Sequence, residues 1–112
     1  MKIAIPLADG RLGTHFGHCS SFAIIQFDSE ANKIAQRMDV EAPPHQPGVL
    51  PAWLAEQGIN LVIAGGMGQR ALDLLTQHGI SVLIGAFSEI PEKLVEDYMA
   101  GRLQTGENPC DH

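Results

Sequence analysis

Apolar residues in this chain come in short runs, each closed by glycine, proline or an Asp/Asn turn. Residues 2–7 are almost wholly apolar and stop at Ala8-Asp9-Gly10, where Asp-Gly signals a turn. An unbroken apolar run of that length predicts a strand buried on both faces, and therefore central in its sheet. Residues 9–20 read as a glycine-rich loop through Gly10, Gly13 and Gly17. A second strand is expected over 22–28, followed by a hairpin turn at Ser29-Glu30-Ala31-Asn32. Residues 33–41 then alternate, with Ile34, Gln36, Met38 and Val40 on one side and Lys33, Ala35, Arg37 and Asp39 on the other. That period of two predicts a half-exposed edge strand, antiparallel to the second.

The second half of the chain switches to helical spacing. Ala42-Pro43-Pro44-His45-Gln46-Pro47-Gly48 holds three prolines, which fix φ and remove donors, so it predicts a stiff loop presenting His45. A helix follows over 49–57, with Pro51 in its first turn, a stripe of Leu50, Trp53 and Leu54, and Gly58 as its stop. Residues 60–64 predict a fourth strand, which Gly65-Gly66-Met67-Gly68 turns into a helix over 69–78. That helix faces Ala71, Leu72, Leu74 and Leu75 inward and ends at Gly79. A fifth strand covers 80–84. Ser88 is placed to cap a third helix, with Pro91 in its first turn and Glu89 and Glu92 near the positive end of its dipole. Leu94, Val95, Tyr98 and Met99 give that helix its apolar face, and Gly101 ends it. The remainder has no periodicity. That remainder, 102–112, therefore reads as a C-terminal tail to one domain, with no internal repeat and no linker.

Two hairpin-linked strands feeding a βαβαβ half predict an α/β fold: a single three-layer domain whose five-stranded mixed sheet has the order 3-2-1-4-5, with helices on its faces. Ligands of such sheets bind beyond the carboxyl ends of the parallel strands, where the strand order reverses. Here that point lies between the first and fourth strands, and the loops leaving them are 9–21 and 65–68.

Composition narrows the function classes. The 112 residues are 45% hydrophobic and 18% charged, enough for one core without staples. A net charge of −6 with no Lys/Arg cluster disfavours nucleic acid and anionic membranes as partners. No run approaches a transmembrane length and the start is too soon interrupted for a signal peptide, so a cytoplasmic location is expected. Two cysteines in a reducing compartment point to ligands, a redox pair or buried thiols more than to a structural disulfide.

The sharpest chemistry is His15-Phe16-Gly17-His18-Cys19, which sets two imidazoles and a thiol within five residues. Neutral imidazole and thiolate suit zinc, iron and iron–sulfur clusters. Cys110-Asp111-His112 repeats the pairing in the tail, and His45 is a third place. Each group also has an ordinary reading: a loop cap, a buried thiol, a chance pair in a solvated tail. Gly65-Gly66-Met67-Gly68 precedes a helix N-terminus and so could hold an anion through backbone N–H groups, or could be a tight turn only. It is not a P-loop, since no Gly-Lys-Ser/Thr follows, and no acidic residue ends the next strand to bind a ribose. The strand order is similar to that of ribonuclease H-like nucleases, but the first strand carries no carboxylate, so nuclease activity is not expected. No Ser-His-Asp or Cys-His-Asn set is visible either.

Met-Lys-Ile-Ala-Ile-Pro at the start, His15-Phe16-Gly17, Ile63-Ala64-Gly65-Gly66-Met67-Gly68 with its helix, and the pattern of the last helix resemble the dinitrogenase iron–molybdenum cofactor biosynthesis family, the NifX-like and NifB C-terminal-like domains. The resemblance implies a ribonuclease H-like fold without catalysis, and the binding, storage or transfer of an iron–sulfur or iron–molybdenum-type cluster precursor. His15, Gly65, Gly66, Met67 and Gly68 would then position the cluster, with His18, Cys19, His45, Cys110 and His112 as candidate metal ligands. Partners would be cluster-donor or cluster-acceptor proteins. A mononuclear zinc or iron site that pins the tail, or a small-anion-binding interaction module, are the other outcomes. A homodimer through an edge strand also stays open.

Overall fold

The computed structural model describes residues 1–13, 16, 19–44, 46 and 48–106. The central strand β1 (Lys2–Ala8) is apolar on both faces because both faces are covered. Ala4 enters one core, with helices α1 (Val49–Glu56) and α2 (Gln69–Gln77), while Ile3, Ile5 and Leu7 enter another, against helix α3 (Pro91–Met99). The same alternation runs through β3 (Ser21–Asp28), where Phe22 and Ile24 face α1 and α2 and Ala23, Ile25 and Phe27 face α3. The domain thus has three layers, helices on each face of one mixed sheet.

Across that sheet the order is β4 (Lys33–Glu41), β3, β1, β5 (Leu61–Ile63), β6 (Ser81–Leu83), with β1, β5 and β6 parallel and the β1–β3 and β3–β4 pairs antiparallel. This is the expected path, but among the described residues the sheet has six strands, not five. The extra one is β2 (Arg11–Leu12), which pairs antiparallel with Leu7 and Ala8 of β1. Asp9 and Gly10 have φ of 54° and 80°. Two successive left-handed residues make the tight two-residue hairpin that Asp-Gly favours. The sequence pattern missed β2 because two residues show no period.

β2 also explains a proline in a central strand. Pro6 pairs with Phe22 on one side, yet β5 is in register only with Ile3 and Ala4 on the other. A strand residue points its N–H and C=O to the same edge, and the Pro6 carbonyl accepts from Gly13 N–H at 2.9 Å. The donor that proline lacks therefore faces the gap left by β5, where no acceptor is forfeited. That gap, at the carboxyl ends of β1 and β5, is the reversal point of the sheet.

Two further expectations are corrected. Strict alternation in β4 would put Ile34 and Val40 on one face, but Ile34 packs against the α3-side core and Val40 against the other. The register steps from Gln26↔Gln36 to Phe27↔Ile34, so Ala35 is an extra residue whose bulge inverts the alternation. Arg37, paired with Ile25, then points toward α3 and donates to Glu92 at 2.6 Å. The third helix begins at Pro91 with Ile90, not Ser88, at its N-cap. A proline at the first helical position holds the residue before it extended, and Ile90 has ψ 144°. Among the described residues no helix is long and apolar enough to cross a membrane.

Candidate functional site

The segments that flank the candidate residues meet at the carboxyl end of the sheet. Gly13 is tied to Pro6, and Leu12 N–H donates to the Glu89 carbonyl at 3.0 Å, so the loop after β2 starts from a fixed point. Three residues on, Phe16 N–H donates to the Gly66 carbonyl at 3.0 Å, which joins this loop to the glycine-rich turn after β5. The Phe16 ring is buried, edge-on to Phe22 with centroids 5.7 Å apart, and Phe22 in turn meets Trp53 of α1 at 5.6 Å. Aromatic pairs of this geometry add to the burial term, so Phe16 fastens the loop to the α1-side core. Ala42 N–H donates to the Ser20 carbonyl at 3.0 Å, which brings the start of the proline-rich loop beside Cys19.

On the other side of the turn, Gly85 N–H donates to the Gly65 carbonyl at 2.9 Å and Gly106 N–H donates to the Gly85 carbonyl at 2.6 Å. Among the described residues, backbone hydrogen bonds at this end of the sheet thus join 42 to 20, 16 to 66, 65 to 85 and 85 to 106. Gly65 and Gly66 are buried, Met67 is 1% exposed within the α1-side core, and Gly68 is exposed as the N-cap of α2. No side chain caps that helix, and its first-turn N–H groups have no acceptors inside the helix.

Cys19 is 3% exposed and belongs to the core cluster of Phe16, Phe22 and Met67. Its thiol donates to the Phe16 carbonyl at 3.1 Å. Burial pushes the thiol up to about 11, against a smaller opposing effect of its backbone hydrogen bond. At neutral pH it is a protonated thiol, and a metal would have to displace that proton. His15, His18, His45, Cys110 and His112 lie outside the described residues. Among the described residues, no three of His, Cys, Asp and Glu are gathered as an ion site. The structure thus brings Cys19 to the Gly65–Gly68 turn, through Phe16 and Met67. Sequence reasoning passed over Phe16 as an anchor, although an aromatic between two histidines in a glycine-rich loop is the signal that could have found it. Gly85 and Gly106 carried no such signal, since only their contact singles them out.

The chain and its fold match known relatives. An uncharacterized protein of Methanocaldococcus jannaschii is 29% identical over 107 residues, covering 93% of this chain and 90% of that protein. The crystal structure of a protein designated PH0822 superposes with a TM-score of 0.85 at 27% identity, over 95% of this chain and 96% of the other. The apo form of the orange protein from Desulfovibrio gigas shares the fold, with a TM-score of 0.72 at 21% identity over 96% and 94% of the two chains. Residues 1–101 match the family described as dinitrogenase iron-molybdenum cofactor. With nine-tenths of its length matched and the fold shared, the chain belongs to the dinitrogenase iron-molybdenum cofactor family.

Proposed function

We propose that the protein binds a metal-cluster precursor, of iron–sulfur or iron–molybdenum type, at the carboxyl end of its sheet and hands it on without catalysing a reaction. The observation that carries this reading is the bond from Phe16, the residue between the two candidate histidines in sequence, to Gly66 of the glycine-rich turn. Family membership supports it, since the family is described by that cofactor. In this reading 1–103 is the binding domain, with a ribonuclease H-like sheet. The tail 104–112 supplies Cys110 and His112, beside His18, Cys19 and His45. His15 and the Gly65–Gly68 backbone orient the anionic cargo through N–H groups at the start of α2.

Cargo held by imidazoles and thiolates at a loop rim can leave by ligand replacement from a cluster-acceptor protein. The net charge of −6 keeps nucleic acid away from such a rim. A cytoplasmic site of action suits thiolate ligands, which oxidising compartments would consume. The buried, protonated thiol of Cys19 favours a second reading, in which Cys19 only packs and the Gly65–Gly68 backbone holds a small anion in an interaction module. A mononuclear zinc or iron ion that only pins the tail and stabilises the fold is the alternative metal site, distinct from a carrier.

Anaerobic loading with ferrous iron and sulfide tests these readings. The carrier predicts visible absorption that is lost in Cys110→Ser and in Cys19→Ser. An unchanged spectrum in both variants would remove both thiols from the ligand set, and no uptake in any protein would leave the interaction module standing.

A further inference from the structure

Residues 102–106 turn back across the end of the sheet. Arg102 is tied to the last turns of α3, its N–H donating to the Asp97 carbonyl at 2.7 Å and its guanidinium reaching the Asp97 carboxylate at 3.2 Å. Leu103 lies half-buried against the α3-side core. At the far end Thr105 bridges antiparallel to Ala86, and Gly106 donates to Gly85. Between these attachments Arg102, Leu103 and Gln104 line a groove of about 880 Å³ together with Phe87, Lys93, Leu94 and Asp97. A segment held at its two ends beside a groove, with one half-buried apolar side chain, has the low local stability of elements that open on their own.

Gly85 is the residue this segment depends on. Its φ of +81° excludes ordinary side chains, and a Cβ there would overlap the Gly106 carbonyl oxygen. Its carbonyl holds the returning segment while its N–H holds Gly65, so one residue serves both the tail and the glycine-rich turn.

We propose that residues 102–106 form a latched strap, closed at Gly85, whose release opens the Gly65–Gly68 rim to cargo; the gating half of this rests on the reading of that rim as the cargo site. Docked, the strap fixes Gly85 and through it Gly65. Released, it frees the β6 side of the rim. By linkage, binding at the rim that changes strap release is itself changed by the strap to the same degree.

Limited trypsin digestion of the full chain reads the latch directly, because the Arg102–Leu103 bond lies within the strap and must lift to be cut. Gly85→Ala should speed cleavage at that bond about tenfold or more, with cleavage in β4 unchanged. Since Gly85→Ala can also disturb the loop around it, Gly106→Pro provides the second variant. It removes the N–H that donates to the Gly85 carbonyl and leaves the sheet intact, and it should have the same effect. Equal cleavage rates in all three proteins would overturn the latch. The gate is read by the rate of iron uptake with ferrous iron and sulfide as the probe, expected to be several-fold faster in both variants. Faster cleavage with unchanged uptake would overturn the gate alone. No uptake in any of the three would overturn the cargo reading and the gate with it, while the cleavage rates still decide the latch.

Discussion

Replacing Phe16 with alanine tests whether the loop is fastened as described. The ring is 3% exposed, packed in the α1-side core and edge-on to Phe22 at 5.7 Å. Phe→Ala at buried positions costs about 3–5 kcal/mol. Phe16 sits at the rim of the core, where the loop can partly collapse into the void, so the lower end, about 3 kcal/mol, applies. For 112 residues the unfolding entropy near the midpoint is about 0.24 kcal/mol/K, so Tm should fall by about 13 °C. Phe87→Ala is the matched control, since Phe87 is 61% exposed and should shift Tm by under about 2 °C. Thermal unfolding followed by circular dichroism measures both, and hydrogen exchange of the backbone amide at position 16, compared between wild type and variant, reports on the bond to Gly66. If Phe16→Ala costs no more than Phe87→Ala, the ring is not part of the core and the link from the loop to the glycine-rich turn has no packing behind it.

Other outcomes follow from the same geometry. With its thiol near 11, Cys19 should be alkylated by iodoacetamide at pH 8 at least ~100-fold more slowly than in denaturant, read by mass of the Cys19 peptide. Because the folded thiol is raised, its contribution to stability is complete below about pH 9 and is lost as pH rises through about 11. Up to ~2.7 kcal/mol disappears from urea unfolding over that range, and the loss should be absent in Cys19→Ala. Arg37→Ala breaks the contacts to Glu92 and Asp39 and should lower stability by only ~0.5–1 kcal/mol, since both pairs are partly exposed to water. Arg37 holds the Glu92 carboxyl below its usual range, so that contribution is present above the ordinary carboxylate pKa and vanishes as pH falls; urea midpoints of wild type and variant should converge in acid.

What was legible in the sequence is what depends on period. The buried runs of β1 and β3, the stripes of Leu50 and Leu54 and of Leu94 and Val95, and the glycine stops at Gly58 and Gly79 all express local rules. The strand order followed from connection rules applied to those elements. What was not legible depends on partners. Arg11 and Leu12 form a strand because Leu7 and Ala8 offer an open edge, although Asp9-Gly10 announced the turn. The bulge at Ala35 is set by the register of β3. Pro91 outranked Ser88 because its fixed φ sets the first helical position and makes the extended Ile90 the cap residue, so Ser88 falls two residues outside the cap. At the site, the nearness of Cys19 to the glycine-rich turn followed from topology. The burial of its thiol did not, since that is decided by Phe16, Phe22 and Met67 closing around it.

The central claim is that this rim carries a metal cluster. Its most direct test is iron, molybdenum, zinc and acid-labile sulfide measured per chain, with a visible spectrum, on protein purified without oxygen beside the Cys19→Ala/Cys110→Ala double variant. The account predicts iron or molybdenum with sulfide and visible bands in the wild type, and their loss in the variant. One colourless zinc per chain, or no metal in either protein, would contradict it.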